Sequence, residues 1–285
     1  MSREAWLDFR LYVITAQSNH PGKPVVDVIE QTLIGGAQIV QLRNKTGTRA
    51  EVLEQAKALR LLTRKYNVPF IINDYPDIVI ETDADGVHLG QEDMPVAEAR
   101  RLLGPDRIIG ISTHNLDQAL AAERDGADYI GVGPVFPTDT KPGRAAVTTS
   151  YVAEAARHVS IPFVAIGGIT LDNVDLVLAA GAKRICAVSA IVGSDDPASV
   201  CRSFLRRIEA AGGKAEIANK KSLTVNGRQE LTSARTVEEL VQQLGQQNKK
   251  LIIELNGVIV QRAQWTATEL QDGASIEMVH FVGGG

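Results

Sequence analysis

The polar residues able to do chemistry are bunched behind short apolar runs. Gln41, Arg43 and Lys45 occupy alternate positions in QIVQLRNK. Alternate side chains of extended backbone share a face, so an amide and two cations point one way while Leu42 and Asn44 point the other. That grouping suits a multiply charged anion such as a pyrophosphate; a salt-bridged strand end explains the same residues equally well. Asn73 and Asp74 close a second run, and Asp93 lies in the GQEDMP loop behind the next one. Two carboxylates on neighbouring strand tops can share Mg2+, which takes one or two carboxylates together with substrate phosphate oxygens; a lone Asp in such a loop is more often a helix cap. GPVFPTDTKPGR offers Thr138, Thr140 and Lys141 on a Pro/Gly turn, either a phosphate-binding loop or an ordinary connector. Gly167 and Gly168 let backbone approach a ligand closely, and Val188 and Ser189 stand just before a helix, where backbone N–H groups receive phosphate. Two separate anion sites, one with metal, suit an enzyme that joins a pyrophosphate substrate to a phosphate substrate.

These residues need a frame that brings strand ends together. Eight apolar runs recur: LYVIT (11–15), QIVQL (38–42), FIIN (70–73), GVHLG (86–90), IIGIS (108–112), YIGVG (129–133), FVAIG (163–167) and ICAVS (185–189). Between them lie stretches such as RAEVLEQAKALRLLTRKY, VAEARRLL and LDQALAAERDG, with apolar residues at helical spacing. Eight parallel strands with right-handed helical crossovers close as a (β/α)8 barrel, an α/β fold whose chemistry sits at the C-terminal strand ends. An open doubly wound sheet is disfavoured because LYVITAQSNHPGK lacks a glycine-rich first turn. The barrel is expected over residues 1–211, a linker over 212–221 and a second domain over 222–285. In that domain SLTVNGRQELT reads as a hairpin about Asn226-Gly227. TVEELVQQLGQQ reads as a helix with a capping box at Thr236 and Glu239. LIIELNGVIV and SIEMVHFV complete a ββαββ order, a small ubiquitin-like β-grasp domain trailing Gly283-Gly284-Gly285.

Bulk properties exclude several classes. With 30 basic and 34 acidic residues the net charge is −4, so the chain lacks the basic excess of nucleic-acid binders. No apolar run approaches a membrane span, and the N-terminal segment MSREAWLDFR has no signal-peptide core. A cytoplasmic protein is expected, its two cysteines, Cys186 and Cys201, buried as packing residues. His20, His88, His158 and His280 show no metal spacing and read as ordinary core or surface residues. Oligomeric state stays open, a homo-oligomer included.

QLRNK, INDYPD, DGVHLGQED, IGIST, GPVFPTDTK, AIGGI and AVSAI, in that order, resemble thiamin-phosphate synthases over about residues 11–209. The resemblance implies a transferase. It condenses (4-amino-2-methyl-5-pyrimidinyl)methyl diphosphate with thiazole phosphate, or its carboxylate, to give thiamin phosphate and pyrophosphate. It also implies roles. Gln41, Arg43, Lys45, Asn73 and Lys141 hold the pyrimidine diphosphate, with Ser112 against the pyrimidine, and Asp74 and Asp93 bind Mg2+. Thr138, Thr140, Gly168, Val188 and Ser189 take the thiazole phosphate. Tyr75 stands where many members carry a second acid, so no further metal ligand is expected there, and KPGRAAVTT departs from the usual loop after Lys141.

The C-terminal segment resembles the sulfur carrier of the same biosynthesis, which implies a Gly285 thiocarboxylate, an adenylating enzyme and a thiazole synthase as partners. Two rivals stand beside the synthase. One is a thiazole tautomerase, kept open by His114 but disfavoured by Asn73, Asp74 and Asp93. The other is a noncatalytic scaffold for the carrier.

Overall fold

In the computed structural model, which describes residues 6–138, 146–218, 221–247, 249 and 251–280, each of the eight apolar runs contains a strand. They are β1 (Leu11–Ile14), β2 (Ile39–Leu42), β3 (Phe70–Asn73), β4 (Gly86–Leu89), β5 (Ile108–Thr113), β6 (Tyr129–Val132), β7 (Phe163–Ile166) and β8 (Ile185–Cys186). All pair in parallel and β8 returns to β1, closing the barrel. The strands read as unbroken apolar runs because both faces are covered. One face points inward, where Tyr12, Ile14, Ile39, Ile71, Ile108, Tyr129, Val164 and Cys186 pack over Phe9. The other packs on the helices, through residues such as Leu11, Val13, Val40, Leu42, Phe70 and Ile72.

The crossovers are α1 (Val25–Ile34), α2 (Arg49–Tyr66), α3 (Pro76–Thr82), α4 (Val96–Leu103), α5 (Leu116–Arg124), α6 (Thr148–His158), α7 (Val174–Ala179), α8 (Ser189–Val192) and α9 (Pro197–Ala218). Helix α2 is started by a full capping box: Thr48 accepts from Glu51 N, and the Glu51 carboxylate accepts from Thr48 N. Asn67, with φ 53°, ends it. Glycine has a packing reason at Gly86, where a Cβ would stand 2.1 Å from the Ile108 carbonyl oxygen.

The chain divides into compact units at Met1–Ala211 and Gly212–Gly285. Within the expected linker over 212–221, the residues through Ala218 continue α9. The Ala, Lys and Glu of this stretch are strong helix formers, and they outweigh the cost of about 1 kcal/mol per glycine at Gly212 and Gly213.

The second unit is a mixed five-stranded sheet in the order β10-β9-β13-β11-β12, formed by β9 (Lys221–Val225), β10 (Arg228–Thr232), β11 (Leu251–Leu255), β12 (Val258–Val260) and β13 (Ser275–His280). The expected ββαββ order thus gains a strand, since Asn256-Gly257 breaks LIIELNGVIV into a hairpin of its own. At both Asn-Gly pairs each residue has positive φ, as a two-residue hairpin of matching twist requires. The helix α10 (Val237–Gln243) lays Val237, Leu240 and Val241 on a core with Leu223, Ile253, Trp265 and Ile276. Thr236 caps it by accepting from Glu239 N, whereas the Glu239 carboxylate reaches back to Arg235 N, one residue beyond the Thr236 N of the predicted reciprocal bond. Among the described residues no helix is long and apolar enough to cross a membrane.

Candidate functional site

Strand parity sets the first cleft. Gln41 and Asn73 end β2 and β3 on the inward face, so their side chains meet, Gln41 Nε2 donating to Asn73 Oδ1 at 2.7 Å. Past the strand end Arg43 and Lys45 keep the parity of Gln41, and both line one cleft with Asn73, Asp74, Asp93 and Ser112. Asn44, on the other parity, turns away to donate to Gln55 Oε1. With its open mouth the cleft measures about 720 Å3.

Asp74 sits in the left-handed region, φ 66°, which an Asp tolerates better than most residues. Its carboxylate pairs with Lys45. Burial pushes the Asp74 carboxyl above the ordinary carboxylate range, the bond to Lys45 pulls it down, and the neighbouring Asp93 raises it again. Asp93 is held by Gly90 N at 2.6 Å. Two carboxylates crowded together under partial burial favour a cation between them. Among the described residues no third acid, His or Cys joins them in a metal-holding cluster. That donor set fits Mg2+, which keeps positions for phosphate oxygens and water, better than an ion caged wholly by protein. Burial also lowers the basicity of Arg43, against the pull of Asp74, yet a guanidinium stays charged in such a setting.

A second cleft, about 510 Å3 with its mouth, is lined by Thr138, Gly168, Val188 and Ser189, together with His114 and again Ser112. Gly168 has φ 64°, and a Cβ there would stand 2.5 Å from the Pro137 carbonyl oxygen, so glycine lets the end of β7 lie on the loop after β6. Val188 and Ser189 form the start of the one-turn α8 on top of β8. His114 Nδ1 donates to the Gly133 carbonyl at 2.6 Å, which sets its tautomer.

Every described residue singled out in the barrel therefore borders one of the two clefts or the floor beneath them, where Gln41 is buried. Thr140, Lys141 and Gly285 lie outside the described residues. Three residues of the floor went unrecognised in the sequence: Tyr12, His88 and Tyr129. His88 is no ordinary core residue, for its ring bonds Tyr129 on one side and Ser112 on the other. The available signal was parity, since His88 falls in the inward register of GVHLG. Both cysteines are buried, as expected.

Comparison with known proteins agrees with this geometry. Residues 11–191 match the family model described as thiamine monophosphate synthase, and residues 216–285 match the ThiS family. The chain is 51% identical to the thiamine-phosphate synthase of Halalkalibacterium halodurans, covering 72% of this chain and 98% of the relative. It is 47% identical to that of Chloroflexus aurantiacus, covering 73% and 97%. A thiamine phosphate pyrophosphorylase structure from Pyrococcus furiosus superimposes with TM-score 0.66 at 38% identity, over 73% of this chain and 98% of that one. KGPDC from Streptococcus mutans, at 12% identity and TM-score 0.52, shares the fold alone. With barrel and relatives in agreement, the chain belongs to the thiamine monophosphate synthase family of transferases and carries a ThiS-family sulfur-carrier domain after the barrel in sequence.

Proposed function

We propose that the barrel joins (4-amino-2-methyl-5-pyrimidinyl)methyl diphosphate to thiazole phosphate, giving thiamin phosphate and pyrophosphate. The observation that carries this reading is that Ser112 borders both clefts, so a group bound over the floor adjoins both anion sites. In this reading Gln41, Arg43, Lys45 and Asn73, with Lys141, hold the diphosphate. Asp74 and Asp93 hold Mg2+, which when bound offsets the charge of the leaving group. The C–O bond to the diphosphate breaks with its electron pair leaving on oxygen, and the resonance-stabilised pyrimidinyl-methyl cation is sheltered from water by the buried floor. The thiazole nitrogen donates its lone pair to form the new C–N bond. Because that nitrogen needs no deprotonation, no general base is required. Thr138, Thr140, Gly168, Val188 and Ser189 hold the thiazole phosphate.

The test is to supply both substrates with and without Mg2+ and to follow thiamin phosphate and pyrophosphate by chromatography. Metal-dependent formation of both products is expected; a folded protein giving neither would return the question to the tautomerase, for which His114 in the second cleft is the candidate group.

For the carrier domain we propose that Gly285 is adenylated by a partner enzyme and converted to a thiocarboxylate that feeds a thiazole synthase. The ThiS-family match supports this reading. Mass spectrometry after incubation with an adenylating enzyme, ATP and a sulfur donor should show oxygen replaced by sulfur at the C-terminus, and no mass change would end the proposal.

A further inference from the structure

A buried line of hydrogen bonds crosses the barrel floor and ends on Ser112, and its direction can be worked out. Gln41 Nε2 donates to Asn73, which turns Gln41 Oε1 toward the Tyr12 hydroxyl at 3.2 Å. An amide oxygen only accepts, so Tyr12 places its single proton there. The Tyr12 and Tyr129 hydroxyls are 2.8 Å apart, so Tyr129 must donate to the Tyr12 oxygen. The Tyr129 oxygen is 2.9 Å from His88 Nδ1, which must therefore carry a proton and donate it. In the neutral ring Nε2 is then an acceptor, and Ser112 Oγ, 2.9 Å away, gives it the hydroxyl proton. With its oxygen taken by Gln41, Asn73 also borders the anion cleft together with Arg43 and Lys45. Burial raises the pKa of both tyrosines, with their closeness adding to the rise for Tyr12, so neither gives up the proton that the direction depends on. Gly110 keeps the place for the Tyr129 ring: a Cβ there would stand 2.1 Å from Cζ.

We infer that Tyr12, Tyr129 and His88 are positioning residues that set the polarity of Ser112. With its proton committed to His88, Ser112 Oγ meets a ligand only as an acceptor. The floor therefore selects a heterocycle that presents an exocyclic N–H donor and rejects one that presents a carbonyl oxygen there. This inference rests on the synthase reading for its substrate and on the buried network for its direction.

The experiment uses the full chain. Nitrogen-15 spectra, with the His88 signals assigned through His88→Gln, are expected to show Nδ1 protonated and Nε2 bare. Tyr12→Phe removes the donor to Gln41 and lets Tyr129 turn its proton to His88, so Nε2 should become the protonated nitrogen. The preference in kcat/KM for the aminopyrimidine diphosphate over its oxo counterpart should fall by roughly tenfold or more, because a site built to pair one polar group discriminates strongly against its opposite. The KM for thiazole phosphate should hold. Tyr129→Phe should lower the same preference by a different cut. A protonated Nε2 in the unaltered protein, or an unchanged preference in a folded Tyr12→Phe or Tyr129→Phe protein, overturns the inference. Failure of the unaltered protein to turn over either pyrimidine refutes the synthase reading instead, while the His88 tautomer still decides the network.

Discussion

Asp74 shows how one residue gathers the electrostatics of the first cleft. It faces Lys45 and Asp93 together, so removing its carboxylate leaves a cation unopposed and deletes half of the donor pair. Asp74→Ala should lower kcat/KM by roughly a hundredfold or more, on the scale seen when a preorganised charge-stabilising group is lost. Added Mg2+ should restore little of the loss, and a variant as active as the unaltered protein would remove Asp74 from the site. Cys201 offers a prediction outside the chemistry. Burial pushes its thiol up to about 12, and burial likewise raises Tyr151 to about 12. Both groups ionise more readily in the unfolded chain, so their contribution to stability is fully present below the unfolded-state values and is lost as pH rises toward 12. A gap of this size at Cys201 corresponds to about 4 kcal/mol when fully expressed. Melting temperature should accordingly fall as pH rises from 9 to 11, and the native thiols should stay inert to a disulfide reagent at pH 8. A flat profile would refute the assignment.

At the level of the elements, the carrier sheet depends on its two Asn-Gly turns for more than their shape. Asn226 Oδ1 accepts from Met278 N at 2.6 Å and Asn226 Nδ2 donates to the Met278 carbonyl, while Asn256 Oδ1 accepts from Ser275 N. Each turn is thereby tied to β13, the central strand. Asn226→Gly keeps the positive φ but loses the bonds, and should cost roughly 1–3 kcal/mol by denaturant unfolding; Asn226→Ala should cost more, since it also strains the turn. An Asn226→Gly protein as stable as the unaltered one would show that the side-chain bonds contribute nothing. In the barrel, Gly86→Ala should push β4 from β5 and destabilise by roughly 1–3 kcal/mol, visible as a lower melting temperature.

For the molecule as a whole, the two units have separate apolar cores, one inside and around the barrel and one centred on Leu240, Trp265 and Ile276. Leu240→Ala should therefore destabilise the second unit by roughly 2–5 kcal/mol, the usual cost of a core cavity. Trp265 fluorescence, read in a Trp6→Phe background, should report it, while condensation at 25 °C continues unchanged. Loss of condensation in parallel with the fluorescence transition would show that the units depend on each other. Much of this organisation was legible in the chain, because it is local. Runs such as FIIN had to be strands, Asn-Gly pairs had to turn, and alternation put Gln41, Arg43 and Lys45 on one side with Asn44 on the other. What the residues alone left open depends on partners far apart in sequence. The helical course of α9 through the expected linker was a contest between two glycines and strong helix formers that composition did not resolve. His88 read as an unremarkable core residue because its meaning comes from Tyr129, Tyr12 and Ser112, on three other strands. The sharing of Ser112 by both clefts follows from barrel closure, which converts eight local strand ends into one site and so makes each side chain's role depend on the strands that close around it.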